Sequence, residues 1–215
     1  TVSYTLSTNV ESITATAATI TIVGNTLNNT LISQSAATTL RGLAGDDLYI
    51  IDSADDVIDE TFAGSSGTDS VQSSINYTLS ADLENLTLIA GSAATTATGN
   101  TSNNILIGNS NLGVGISNTL TGGGGDDIYF VFNTTDTVTE GLNAGTDTVN
   151  ASVTFTLIAN IENLTLLGQG AIDGTGNTLD NLLMGGTGNN SLTGGGGKDT
   201  LVGGQGADTL NGGAT

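Results

Sequence analysis

Four aspartates stand at the same place in glycine-rich turns of the form G-x-x-G-x-D. They are Asp47 in GLAGDD, Asp127 in GGGGDD, Asp199 in GGGGKD and Asp208 in GGQGAD. Asn181 and Asn190 hold that sixth place in GNTLDN and GGTGNN. Glycine lets a turn aim several carbonyl oxygens at one point, and the aspartate adds a charged oxygen. Many hard, flexible oxygen donors suit calcium better than magnesium or zinc. A turn aspartate can instead spend its side chain on its own backbone, but four in phase favour a metal. For Asn181 and Asn190, ligation and simple turn capping both stand open.

The segments between the turns must bring these oxygens together. After each turn comes a three-residue strand with one apolar residue, and Leu192, Leu201 and Leu210 recur at nine-residue steps. A flexible linker would not keep that phase. Two nonapeptides make one flattened coil, and stacked coils bring turns 18 residues apart into contact, such as 185–190 and 203–208. Upstream, the chain repeats at longer range. Tyr4-Thr5-Leu6 returns as Tyr77-Thr78-Leu79 and Phe155-Thr156-Leu157, and Glu11, Glu84 and Glu162 follow at matched places.

The first two repeats add a D-x-V-x-E segment ending at Glu60 and Glu140, a loop, and a G-T-D-x-V segment holding Asp69 and Asp147. Val149, Ala151, Val153, Phe155 and Leu157 alternate with polar residues at period two, as strands require, and no stretch keeps a helical apolar face. The pattern predicts an all-β fold, a parallel β-roll or β-solenoid. It runs over 1–215 without a domain boundary, in three long repeats of about 1–67, 68–145 and 146–215.

Composition narrows the function. Among 215 residues there are 21 acidic and two basic ones, Arg41 and Lys198, giving a net charge of −19. No basic patch exists to neutralise phosphates, which argues against nucleic acid and anionic membrane surfaces as partners. No apolar run is long enough to insert into a membrane as a helix. The charge makes the chain self-repelling unless cations bind. There is no His or Cys and a single Lys, so most nucleophile–base arrangements cannot be built and no enzyme is expected.

The combined motifs closely resemble bacterial RTX (repeats-in-toxin) proteins of the long-repeat kind: a GDD-type turn leading to an aromatic strand, D-x-V-x-E, G-T-D-x-V, and Y-T-L…E-N-L-T. The resemblance implies a parallel β-roll, calcium between turns, and an extracellular setting reached by type I secretion. It also implies that Glu60 shares a calcium with Asp69, and Glu140 with Asp147. Two places depart from the pattern. Ser33 to Arg41 lacks the glycines and acid of a turn, and residues 108–121 carry an irregular insertion.

Glu11, Glu84 and Glu162 are expected to bind backbone amides of a neighbouring turn. Tyr49, Tyr129 and Phe130 are expected to pack in the core or rim, with an aromatic platform for a cell-surface polysaccharide as the alternative. The functional expectation is an extracellular calcium-stabilised structural protein that self-associates end to end into a filament, matrix or surface layer. A calcium-dependent adhesin stalk and a C-terminal secretion and folding module of a secreted hydrolase are its competitors.

Overall fold

The structure is a computed structural model. It describes residues 2–17, 20–35, 37–110 and 116–213, so part of the 108–121 insertion lies outside the described residues. The described residues form strands and no helix, and every strand pairing is parallel. Eleven strands, from Ser12–Ala15 to Thr200–Val202, make one long sheet. The other face of the roll consists of three four-stranded sheets. They are built from Val2–Thr5 to Val57–Ile58, from Tyr77–Thr78 to Thr137–Thr139, and from Phe155–Thr156 to Thr209–Asn211.

Two-residue periodicity places one side chain of a three-residue strand inside, such as Leu120, and two of a four-residue strand, such as Tyr49 and Ile51. In the long sheet, Leu31, Tyr49, Val71, Leu86 and Leu106 stack in register, and Tyr129, Val149, Leu164, Leu183 and Leu201 continue the column. All but the last are fully buried. The predicted alternation along 148–157 holds, with Val149, Ala151, Phe155 and Leu157 inward and Thr154 and Thr156 exposed.

The two faces differ in a way the repeats alone do not reveal. The long sheet is unbroken, whereas the opposite face is interrupted after Ile58 and again after Thr139. Each interruption falls where D-x-V-x-E, its loop and G-T-D-x-V enter the coil. The coil that follows is short. Ser70 pairs with Asn85 and Thr148 with Asn163, steps of 15 residues, against 18 for Ser12 with Thr30. Across these coils pairing continues on the long sheet only. The turn at Ser33 to Arg41 lacks glycine and is closed by another route: Asp56 Oδ1 accepts from Thr38 N and from Ser33 Oγ, both at 3.0 Å.

Candidate metal centre

The turns stack on both edges of the roll, 42–47, 122–127 and 194–199 leading into the long sheet and 203–208 into the opposite face, and their acidic side chains form ladders across the coils. In the first repeat Asp47 Oδ1 accepts from Asn29 N (2.7 Å), Asp69 Oδ1 from Asp47 N (2.8 Å) and Glu84 Oε2 from Asp69 N (2.7 Å). The second repeat copies this: Asp127 accepts from Asn104 N (2.7 Å), Asp147 from Asp127 N (2.8 Å) and Glu162 from Asp147 N (2.8 Å). In the plain nonapeptides Asp199 accepts from Asn181 N (3.0 Å) and Asp208 from Asn190 N (2.9 Å). Each aspartate therefore caps the preceding coil rather than its own backbone. Glu84 and Glu162 have the expected role of holding a neighbouring coil's amide; Glu11 is exposed.

Capping uses one oxygen of each carboxylate and leaves the other. Asp47 Oδ2, Glu60 Oε2, Asp127 Oδ2, Asp147 Oδ2 and Asp199 Oδ2 are buried without a hydrogen-bond partner. A buried, unpartnered carboxylate oxygen is costly unless a cation meets it. One oxygen from each of Asp127, Glu140 and Asp147 lies within 4.8 Å of the others, and all three residues are buried. Asp127 was legible as a turn residue and Glu140 with Asp147 as a separate pair; the fold merges them. Asp47, Glu60 and Asp69 occupy the matching places in the first repeat, close enough to feel one another's charge.

Burial, with further contributions from neighbouring carboxylates, pushes Asp47 and Asp147 up to about 6 and Asp69 and Asp127 up to about 7. No positive side chain relieves these clusters among the described residues. The ion pair found there joins Arg41 to Asp59 at 2.8 Å, on the surface. Gly122 shows why the turn begins with glycine. Its φ is ordinary, but a Cβ would overlap Asp127 Oδ2, the Tyr129 hydroxyl and Glu140 Oε2. At Gly125 the reason is the backbone itself, with φ at +96°.

Asn181 and Asn190 are committed to the backbone. Asn181 Oδ1 accepts from Asn177 N (2.8 Å) and its amide donates to Ile161 O (3.0 Å). Asn190 Oδ1 accepts from Gly186 N (2.9 Å) and its amide donates to Ile172 O (2.6 Å). Both cap their turns, and a neutral amide so engaged brings no charge to a cation. Tyr49 and Tyr129 pack in the core, as expected from the sequence. Both are 0% exposed, so neither can offer a platform to a polysaccharide. Their hydroxyls donate instead to Glu60 and Glu140. That contact was missed because the tyrosine and glutamate are eleven residues apart and meet only through the coil.

The donor set is all oxygen, largely anionic and partly bare, which fits calcium and not a softer metal. Comparison with known proteins agrees. Residues 117–131 and 175–214 match the RTX calcium-binding nonapeptide repeat family, in four copies. The chain thus carries RTX nonapeptide repeats, and calcium is the ion such repeats bind. Among curated relatives, the endo-1,3-1,4-beta-glycanase ExsH of Rhizobium meliloti (strain 1021) is 38% identical over 90 residues, 42% of this chain and 18% of that protein. The endo-1,3-1,4-beta-glycanase EglC of the same organism is 38% identical over 68 residues, 32% of this chain and 14% of that protein. The chain therefore spans less than a fifth of the length of these relatives. No solved structure matches it.

Proposed function

We propose that this chain is an extracellular, non-catalytic β-roll, one continuous unit of three long repeats, whose coils are held together by calcium and which assembles end to end into a filament, matrix or surface layer. The observation that carries the reading is the carboxylate ladder, in which one oxygen caps the preceding coil and the other is left for a cation. Asp47 with Glu60 and Asp69, and Asp127 with Glu140 and Asp147, are the buried sites. Asp199 and Asp208 serve the plain nonapeptide turns. Bound calcium would cancel the repulsion these groups exert on one another and tie adjacent coils together.

Asp199→Ala and Asp208→Ala should each lower the calcium stoichiometry in a calorimetric titration by about one ion. Asp82→Ala, an exposed carboxylate outside any glycine-rich turn, should leave it unchanged. Equal effects at all three would defeat the ligand assignment.

Assembly would add coils to the same parallel ladder; a head-to-tail contact between copies is heterologous, so it grows as an open fibre unless its rotation closes a ring. Light scattering at high protein concentration should rise in millimolar calcium and fall on chelation. Monodisperse monomer under both conditions would remove the assembly part of the reading. The second reading, a calcium-folded module of a hydrolase, draws its support from the two glycanase relatives, whose similarity to this chain covers a small part of their length. An adhesin stalk would use the same coils as a spacer.

A further inference from the structure

The place that Tyr49 and Tyr129 occupy in the nonapeptide is filled by leucine in the other nonapeptide turns: Leu31, Leu106, Leu183 and Leu201 in the same inward column, and Leu192 and Leu210 on the opposite face. Packing alone does not call for a different residue at two of these positions. The two tyrosine turns are also the two that are followed by D-x-V-x-E, and in both the hydroxyl reaches the glutamate that ends it. The third repeat lacks that segment and has Leu201 in the column. A buried hydroxyl is unfavourable without a partner, and phenylalanine would fill the ring's space equally well. The hydroxyl itself must be what these two turns require.

Its partner explains why. Glu60 Oε1 receives Tyr49 and also Gly42 N (3.2 Å), while Glu60 Oε2 is buried and bare. In the second repeat Glu140 Oε2 receives Tyr129, and Oε1 receives Gly141 N at 2.8 Å. A long glutamate side chain has several rotamers, and a hydroxyl fixed in the core selects one and keeps the carboxylate beside Asp127 and Asp147.

We propose that Tyr49 and Tyr129 are positioning residues of the two long-repeat cation sites, each orienting its glutamate as a calcium ligand. The proposal rests on the reading of these carboxylate clusters as calcium sites. Partners that orient metal ligands change affinity by about 10–100-fold when removed. Tyr129→Phe should therefore weaken one calcium site of the full chain by about 10-fold or more, with the strand content at saturating calcium unchanged. Tyr129→Leu, which installs the residue the other turns use, should do the same if the phenylalanine variant folds poorly.

A double-mutant comparison separates orientation from packing. In a Glu140→Gln background, Tyr129→Phe should have no further effect on calcium affinity, because the group it orients is gone. Leu201→Tyr should not raise affinity. If Tyr129→Phe binds calcium as the wild type does while Glu140→Gln loses a site, the tyrosine only packs and the inference is overturned. If Glu140→Gln also binds like the wild type, the cluster is not a site and the inference falls together with the reading beneath it.

Discussion

Stripped of calcium at neutral pH, the chain should lose most of its strand signal in far-ultraviolet circular dichroism and regain it when calcium is restored. The core is thin, one or two inward residues per short strand, and it must hold a chain with a net charge of −19. Extracellular calcium modules bind with dissociation constants of roughly 0.1–1 mM. At ten times that concentration each independent site adds about 1.4 kcal/mol to the folded state. Four such sites contribute about 6 kcal/mol, comparable with the whole stability of a small domain, about 5–15 kcal/mol. Removing the ion also leaves bare buried oxygens in each cluster, on Asp47 and Glu60 in the first repeat and on Asp127 and Asp147 in the second. A spectrum unchanged in excess chelator would mean that the leucine column suffices alone.

Acid should partly replace calcium. Burial raises Asp47, Asp69, Asp127 and Asp147 from the ordinary 3.8 to between about 6 and about 7. Between pH 4 and about 7 the metal-free folded chain then holds more protons than the unfolded chain, so its stability falls as pH rises. The stabilisation is full below pH 4 and is lost on passing through the raised values. Each unit of such a shift corresponds to about 1.4 kcal/mol, so the four groups together amount to at least several kcal/mol. Without metal, the urea midpoint should be higher at pH 5 than at pH 8, and part of the strand signal should return on acidification. With several millimolar calcium the order should reverse, because protons compete with the ion for the same oxygens. The same pH trend with and without calcium would show that the ion does not share the carboxylates with the protons.

The sequence carried the coil and much of the candidate site, for a physical reason. A β-roll is periodic, so Leu192, Leu201 and Leu210 announce the core and the G-x-x-G-x-D turns announce the edge where oxygens gather. Asp47 and Asp127 were visible at the sixth place, and Glu60 with Asp69 and Glu140 with Asp147 as recurring pairs. What the repeats do not encode is how segments of different length stack. The longer coils that pair Leu48 with Ser70 and Ile128 with Thr148 bring each pair onto a turn aspartate, and that follows from register rather than from any local motif. The hydroxyls of Tyr49 and Tyr129 were hidden for the same reason, although the leucine at every equivalent position was a signal already present. For Asn181 and Asn190 position alone does not say which hydrogen bonds an amide makes, and the fold shows both held by the backbone.

The placement of calcium in the carboxylate clusters between coils can be checked by long-wavelength anomalous diffraction from crystals grown in millimolar calcium. Peaks should fall among Asp127, Glu140 and Asp147, at the matching place beside Asp47, Glu60 and Asp69, and at the turns of Asp199 and Asp208. An intact roll with no anomalous signal at either carboxylate cluster would contradict it.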